Sequence, residues 1–198
     1  MIYGLFLLSF LIGSIPTGLL VARSRGVDLR SSGSGNIGAT NVLRTIGKTE
    51  AAITLIGDLA KGAVPVVLAR ALHFPPEHAT LIEGMAGLSA VLGHNFSLFL
   101  KFRGGKGVAT SLGSLFALTP TVGLFTVTLW LMTVKWTRYS SLGALVSFGL
   151  LPLSVYLIDY SKERVLIALG LTALIFLRHV PNIRRLVSGR EPKIGQKA

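Results

Sequence analysis

The sequence predicts an all-α polytopic membrane protein with seven transmembrane helices. Its 198 residues are 51% hydrophobic and only 14% charged. Their mean hydropathy is +0.65, which is too high for a water-soluble domain of this size. The apolar residues also fall into runs that are long enough to cross a bilayer as helices. The chain has no cysteine, so disulfides and thiolate metal sites are excluded. We expect a single domain over residues 1–198.

The predicted spans are joined by short polar connections. The first apolar run lacks a basic leader and a small-residue cleavage site, which predicts a retained helix and not a signal peptide. The run 108–134 is either one tilted helix or two short helices divided at Thr119, Pro120 and Thr121. Pro181 is predicted to end the last helix. The predicted spans are 2–22, 51–72, 79–100, the two halves of 108–134, 142–158 and 165–180.

Loop charge favours seven spans with the N-terminus outside and the C-terminus in the cytoplasm. In that arrangement sixteen of the 20 Lys and Arg residues lie on the cytoplasmic side. If 108–134 were one helix, the basic tail that follows the last span would lie outside, against the positive-inside rule. We therefore assign the net charge of +12 to the membrane face and predict no binding of nucleic acid.

The first of three polar motifs is SSGSGNIGATNVLR, residues 31–44, on the predicted cytoplasmic side. Gly33, Gly35 and Gly38 allow positive φ, so successive backbone N–H groups could converge on an anion. The alternative is a flexible glycine-rich connector with a helix N-cap among its hydroxyls. The side chains that could add donors or charge are those of Ser34, Asn36, Thr40, Asn41 and Arg44.

The second motif is GHNFSLFLKFRGGKGVAT, residues 93–110, which includes His94. Its glycines and basic residues precede a helix predicted to begin at Val108, and free N–H groups at a helix N-terminus favour a phosphate. It is not a Walker A loop, because the Gly-Lys pair is not followed by Ser or Thr. The alternative is a positive-inside anchor with a glycine turn. The candidate phosphate-binding residues are Arg103, Gly104, Gly105, Lys106 and Gly107.

The third motif is HVPNIRRLVSGRE, residues 179–191, at the exit of the last helix. His179 could orient a hydroxyl or transfer a proton, and Asn182, Arg184 and Arg185 could hold phosphate oxygens. The alternative is a solvated histidine beside arginines that bind lipid head groups. In the second span, Asp58 and Lys61 lie three residues apart on one helical face. They either form a structural ion pair or act directly, because a lone charge at that depth is costly.

Several kinds of chemistry are excluded by what the sequence lacks. No two acidic residues lie close enough for a two-metal site or an Asp-rich Mg²⁺ motif. There is no Gly-x-Ser-x-Gly elbow and no cysteine nucleophile. We therefore expect no metal and no cofactor, and catalysis by positioning and electrostatics around anionic substrates. The competing classes are a membrane carrier for phosphate esters and a structural lipid-binding protein. A carrier would place its site near the midplane between repeated halves, and no repeat is visible.

These motifs, together with the cluster of Gly57, Asp58, Lys61 and Gly62, resemble the PlsY family of bacterial glycerol-3-phosphate acyltransferases along the whole chain. The resemblance implies a seven-helix enzyme of the bacterial inner membrane. Such an enzyme transfers a fatty acyl group from acyl phosphate to the 1-hydroxyl of glycerol 3-phosphate and releases lysophosphatidic acid and phosphate. It also implies a functional link to the enzyme that makes acyl phosphate, and contact with membrane lipid.

The resemblance also assigns roles by position. It implies catalytic roles for Ser34, Arg44, Lys106, His179 and Asn182, and glycerol 3-phosphate binding by residues 104–107. It implies a structural or supporting role for Glu191, and we add Asp58, Lys61 and His94 to that group. The general base is either His179 or a phosphate oxygen of the substrate, and we favour the phosphate. A covalent acyl-Ser34 intermediate is the weaker hypothesis, because no base lies next to Ser34 in the sequence.

Overall fold

The computed structural model describes residues 1–195, and every regular element in that range is a helix. The all-α prediction is therefore confirmed. A 3₁₀ turn at Leu98–Leu100 lies between the fifth and sixth α-helices. The α-helices are α1 Ile2–Ser14, α2 Thr17–Arg23, α3 Ala39–Thr45, α4 Lys48–Ala71, α5 Pro76–Asn95, α6 Val108–Leu118, α7 Pro120–Thr137, α8 Ser140–Gly149, α9 Leu151–Ile158 and α10 Lys162–Val187.

Three helical segments within residues 1–195 are long and apolar enough to cross a membrane. They are α1 with α2, which together form Ile2–Arg23, and the helices α4 and α10. A fourth span results if α8 and α9, which are bent by 43° relative to each other, are counted as one. Helix α6 is apolar but has only 11 residues. Length and composition thus support a multi-pass membrane protein, while the number seven stays a prediction.

The break predicted within 108–134 is present, because α6 ends at Leu118 and α7 begins at Pro120. A proline is well placed at the first helical position, where its missing N–H would have no partner in the helix. The predicted end at Pro181 is wrong, because α10 continues through this proline to Val187. The two turns beyond Pro181 are held by Asn182 and Arg185, whose side chains both bond Glu191. This tertiary contact outweighs the local preference of proline.

Glycines allow the central helices to approach each other closely. A Cβ atom on Gly13 of α1 would lie 2.0 Å from the Ala90 carbonyl oxygen of α5. A Cβ atom on Gly62 of α4 would lie 1.9 Å from the Thr110 carbonyl oxygen of α6. Small residues at such crossings are typical of membrane helices, whose association depends on close packing. These crossings bring α1 against α5 and α4 against α6.

The outer surface is apolar and much of the interior is polar. Large side chains such as Leu7, Ile56 and Leu169 are exposed, whereas Ser111, Asn95 and His179 are buried. Buried apolar residues still form a core, in which Phe148, Leu151, Leu171 and Ile175 connect α8, α9 and α10. A surface that suits lipid, combined with buried polar side chains, indicates that the functional groups face inward.

Candidate active site

One cavity of about 470 Å³ collects residues from all three polar motifs and from α4. Its polar part includes Ser34 and Arg44 of the first motif, Lys106 of the second, and His179 of the third. These residues are far apart in the sequence, so the fold assembles the site. Other predicted residues that line the cavity are Asn36, Thr40, Asn41, Asp58, His94, Gly107, Asn182 and Glu191.

The remainder of the cavity wall is apolar. Most of the apolar side chains come from α4, α6, α7 and α8, and others come from α3 and from the segment after α10. This wall adjoins the basic end, so the cavity suits a molecule with a charged head and an apolar tail. The apolar lining includes Leu55, Leu59, Leu112, Phe116, Val127, Trp130 and Ala144.

The side chain of Asn41 organises the first loop. Its Oδ1 accepts the Ser34 N–H at 2.9 Å, and its Nδ2 donates to the carbonyls of Ser32 and Asn36 at 3.1 and 2.8 Å. The Gly35 N–H is likewise bonded to the Ser32 carbonyl at 3.0 Å. The backbone N–H groups of Ser34 and Gly35 are therefore used within the loop and do not form the predicted anion nest.

The glycines of this loop serve its shape. Gly33 and Gly35 have φ of +59° and +68°, but Gly38 has φ of −82° and precedes α3. A Cβ atom on Gly33 would lie 2.3 Å from the Asn41 Oδ1 atom, so only glycine fits there. Gly33 and Gly35 do not line the cavity. The Thr40 hydroxyl lies 3.3 Å from the Ser140 hydroxyl of α8.

The second loop is held against α5. The Gly104 N–H donates to the Asn95 carbonyl at 3.1 Å, and the Gly105 N–H donates to the His94 carbonyl at 3.0 Å. Gly107 has φ of +84° and precedes α6. The N–H groups of Gly104 and Gly105 therefore do not form the predicted phosphate cradle. Arg103 is exposed and outside the cavity, because the loop turns its side chain away.

Lys106 is the basic residue that this loop contributes to the cavity. Burial lowers the pKa of its ammonium group to about 8. Glu191 opposes this shift, while Arg185, Arg178 and Arg44 reinforce it through charge repulsion. The concentration of positive charge without enough protein counter-charge suits an anionic ligand.

His179 and Asn182 face the cavity from α10. The Nδ1 atom of His179 lies 2.7 Å from the Ile175 carbonyl, which can only accept, so Nδ1 carries the hydrogen. In neutral His179 the Nε2 atom is then a hydrogen-bond acceptor. Asn182 donates through Nδ2 to Glu191 Oε1 at 2.6 Å. Its buried Oδ1 has no hydrogen-bond partner among residues 1–195.

From the sequence alone, residues 190–198 are predicted to form a loose terminal tail, of which residues 196–198 lie outside the described range. Glu191 instead belongs to the folded site. Its Oε1 also accepts the Ser141 hydroxyl at 2.6 Å, and its Oε2 accepts Arg185 Nε at 2.7 Å. Burial raises the pKa of this carboxyl, but the hydrogen bonds from Ser141, Asn182 and Arg185 outweigh burial and leave the pKa below its usual value. Glu191 thus stays ionised and holds Asn182 in one orientation.

Asp58, which lines the cavity, forms a buried ion pair with Lys61. Lys61 Nζ lies 2.8 Å from Asp58 Oδ1 and donates to the Ile15 carbonyl at 2.9 Å, next to the break between α1 and α2. The Thr17 hydroxyl also bonds Asp58. His94 Nδ1 lies 3.7 Å from Asp58 Oδ1 and 3.1 Å from the Thr110 hydroxyl. The network therefore connects α2, α4, α5 and α6.

Sequence reasoning did not single out Arg178 or Ser141. Arg178 bonds the second loop, while Arg185 and Ser141 bond Glu191. Arg178 was counted only as loop charge. Arg185 was predicted, with Arg184, to hold phosphate oxygens; Arg185 lines the cavity, whereas Arg184 is exposed and does not line it. The contacts of Arg178 and Ser141 join segments that are distant in the sequence or depend on the course of the chain after α10. The position of Arg178 directly before His179 was the only signal that could have identified it.

The fold and the cavity together define a helical membrane protein with a basic, partly apolar site for an amphiphilic anion. The sequence model of the glycerol-3-phosphate acyltransferase family matches residues 3–189 of this chain. A relative with that name from Jannaschia sp. (strain CCS1) is 51% identical over 191 residues, covering 96% of this chain and 91% of the relative. One from Geobacter sulfurreducens is 45% identical over 183 residues, covering 92% of each chain. The chain belongs to the glycerol-3-phosphate acyltransferase family.

A solved structure has the same fold. It is a crystal structure of PlsY, described as an integral membrane glycerol 3-phosphate acyltransferase in its glycerol 3-phosphate form. This chain is similar to it with a TM-score of 0.91 and 38% identity, over 98% of this chain and 96% of the other. The lysophosphatidic acid form of PlsY gives a TM-score of 0.89. The predicted family is therefore confirmed.

The first prediction concerns the buried ion pair. Asp58→Asn should lower the free energy of unfolding by about 3–5 kcal/mol, because it leaves the Lys61 ammonium buried without a counter-charge. The double variant Asp58→Asn/Lys61→Met should recover most of the loss. The measurement is the thermal unfolding of detergent-purified protein, followed by tryptophan fluorescence.

The control for this prediction is Glu50→Gln, which removes the more exposed Arg25–Glu50 pair. We expect that change to cost at most about 1 kcal/mol. An Asp58→Asn protein as stable as the unsubstituted one would contradict the role of the pair.

Proposed function

We propose that this chain transfers a fatty acyl group from acyl phosphate to the 1-hydroxyl of glycerol 3-phosphate. The supporting observation is one cavity in which Ser34, Arg44, Lys106, His179 and Asn182 adjoin an apolar wall. A reaction between a phosphate ester and an acyl phosphate needs cationic binding for two phosphates and an apolar surface for one chain. The cavity offers both.

The two substrates divide the cavity between them. Lys106, at the start of α6, binds the phosphate of glycerol 3-phosphate, and the N-terminus of α6 adds the positive end of its helix dipole. Arg44 and the hydroxyl of Ser34 bind the acyl phosphate, whose chain lies along Leu59, Leu112 and other apolar residues. This placement brings the glycerol hydroxyl to the acyl carbonyl.

The chemistry is a direct acyl transfer. The 1-hydroxyl oxygen of glycerol 3-phosphate forms a bond to the acyl carbonyl carbon, and the bond between that carbon and the phosphate oxygen breaks. The departing phosphate carries away the electron pair of the broken bond, and one of its oxygens accepts the hydroxyl proton. The products are lysophosphatidic acid and inorganic phosphate. Acyl phosphate is already activated, so the protein contributes mainly positioning and charge stabilisation.

His179 and Asn182 orient the hydroxyl in this mechanism. His179 offers Nε2 as an acceptor, because Nδ1 donates to the Ile175 carbonyl. Asn182 offers the buried Oδ1, because its Nδ2 donates to Glu191. Two acceptors in a site that is otherwise rich in donors suit a substrate hydroxyl. The proton then passes to the phosphate oxygen.

We also propose that the protein has seven spans in the bacterial inner membrane, with the site on the cytoplasmic side. The support is the distribution of Lys and Arg between the predicted loops and the six basic residues from Arg178 to the C-terminus. A cytoplasmic site would receive acyl phosphate from the enzyme that makes it.

The second prediction tests the function. Purified protein given palmitoyl phosphate and glycerol 3-phosphate, with a chelator present, should release phosphate and form lysophosphatidic acid at equal rates. Palmitoyl-CoA as the donor should give no product. Phosphate release and radiolabelled lipid formation are the measurements.

The same assay distinguishes the enzyme from a carrier. A folded protein that forms no product with either donor, but moves glycerol 3-phosphate into sealed liposomes, would overturn the proposed function. Product formation from palmitoyl-CoA alone would overturn the proposed donor.

The third prediction concerns pH. Lys106 is charged below its pKa of about 8 and neutral above it, so the affinity for phosphate should decline as the pH rises through that value. We expect kcat/KM for glycerol 3-phosphate to fall on the alkaline side with an apparent pKa near 8, since this ratio reports groups of the free enzyme.

The Lys106→Arg variant is the control, because a guanidinium stays charged throughout this range. It should lose the alkaline decline even if its activity is lower. If kcat/KM for glycerol 3-phosphate declined in the same way in Lys106→Arg, a group other than Lys106 would be responsible for the pH dependence.

The fourth prediction tests the topology, using the absence of native cysteine. Lys162→Cys should react with a membrane-impermeant maleimide in intact spheroplasts, and Ser188→Cys should react only after lysis. Both positions are exposed. A six-span protein with the same N-terminal orientation would give the opposite result at both positions.

A further inference from the structure

Arg178 contacts the loop that carries Lys106, although Arg178 itself does not line the cavity. Its Nε donates to the Gly105 carbonyl and its Nη2 donates to the Gly104 carbonyl, both at 3.0 Å. The guanidinium carbon lies 5.4 Å from the centroid of the Phe96 ring, a cation–π distance that further fixes the side chain. One side chain of α10 thus bonds two consecutive carbonyls of a loop more than 70 residues away in the sequence.

Helix α5 also binds the same two glycines, Gly104 and Gly105. Their N–H groups donate to the carbonyls of His94 and Asn95. A Cβ atom on Gly105 would lie 2.2 Å from His94 Nε2, so the loop rests directly on that ring. The N–H and carbonyl groups of both residues are therefore fixed by two helices. Lys106 follows immediately, and its backbone position is determined by these contacts.

We propose that Arg178 is a positioning residue for Lys106. Its paired hydrogen bonds hold the loop so that the Lys106 ammonium lies where the phosphate of glycerol 3-phosphate binds, an inference that rests on the function proposed above. The contact also sets the spacing within the site. Helix α10 presents His179 and Asn182 to the cavity, so the bonds from Arg178 fix Lys106 relative to the two groups that orient the hydroxyl.

Two other roles of Arg178 make different predictions. If its charge attracted glycerol 3-phosphate from a distance, lysine would replace it, because lysine keeps the charge. If it stabilised the fold in general, both substrates would be affected alike. A paired contact with two carbonyls depends on the rigid fork of the guanidinium, which lysine does not reproduce.

The experiment compares Arg178→Ala and Arg178→Lys with the unsubstituted full-length protein. Arg184→Ala is the matched control, because Arg184 lies on the same helix with an exposed side chain. Both Arg178 variants should raise KM for glycerol 3-phosphate about tenfold through misplacement of Lys106. KM for acyl phosphate should stay nearly unchanged in both, and Arg184→Ala should change neither constant.

Three results would overturn the proposal. If Arg178→Lys had the same KM for glycerol 3-phosphate as the unsubstituted protein, the role of Arg178 would depend on its charge alone. Equal increases in both KM values, with a lower melting temperature, would assign it to general stability. If both KM values were unchanged in both Arg178 variants, Arg178 would have no role in positioning Lys106.

Isothermal titration of glycerol 3-phosphate into the same four proteins separates this proposal from the proposed function. It measures affinity without turnover. If the unsubstituted protein binds glycerol 3-phosphate but transfers no acyl group, the enzyme assignment fails while the positioning role is still measured. We expect the two Arg178 variants to bind about tenfold more weakly than the unsubstituted protein and Arg184→Ala.

Discussion

The burial of Asp58 among helices is the constraint on which the structure depends. A carboxylate within an apolar bundle requires compensation, and it receives this from Lys61 at 2.8 Å and from the Thr17 hydroxyl. Lys61 in turn bonds the Ile15 carbonyl beside the helix break at Pro16. His94 and Thr110 extend the contacts to α5 and α6. Four helices are thereby fixed relative to one another at the wall of the cavity, which Asp58 and His94 line. The His94 carbonyl also accepts the N–H of Gly105, the residue before Lys106.

The composition of the two glycine-rich loops predicts that their backbone N–H groups bind an anion, but the structure uses these loops differently. Glycines and small hydroxyls are typical of backbone anion nests, but here the N–H groups of Ser34, Gly35, Gly104 and Gly105 bond within the protein. In the first loop, both the oxygen and the nitrogen of the Asn41 side-chain amide bond to the backbone. In the second loop, the carbonyls of His94 and Asn95 accept the N–H groups of Gly105 and Gly104. Glycine is required because the loops lie against other groups with no room for a Cβ atom. In the proposed function the anion is therefore recognised mainly by side chains, above all those of Lys106 and Arg44, which line the cavity.

How well the sequence predicted these features depended on the range of the interactions involved. Apolar runs are local, so the all-α class was predictable. The apolar run alone left the break before Pro120 open, and the charges of the loops decided it. The continuation of α10 through Pro181 was not predictable, because it depends on Glu191, which bonds Asn182, Arg185 and Ser141. The family resemblance selected residues such as Lys106 and His179, which do line one cavity. It could not reveal that Gly104 and Gly105 have no free N–H group, since hydrogen-bond partners across helices are not visible in a pattern.

The balance of charge in the cavity explains why two phosphate-bearing substrates could share it. Its lining contains the basic residues Arg44, Lys48, Lys106 and Arg185 and the carboxylates Asp58 and Glu191. Both carboxylates already have cationic partners, Lys61 and Arg185. The charges of Arg44, Lys48 and Lys106 therefore exceed what the protein neutralises, which lowers the cost of bringing two anions together. In the reaction proposed above, one phosphate is released as the inorganic ion and the other leaves on a lipid. The apolar wall next to these charges gives that lipid chain a continuous surface, so the site suits the product as well as the substrates.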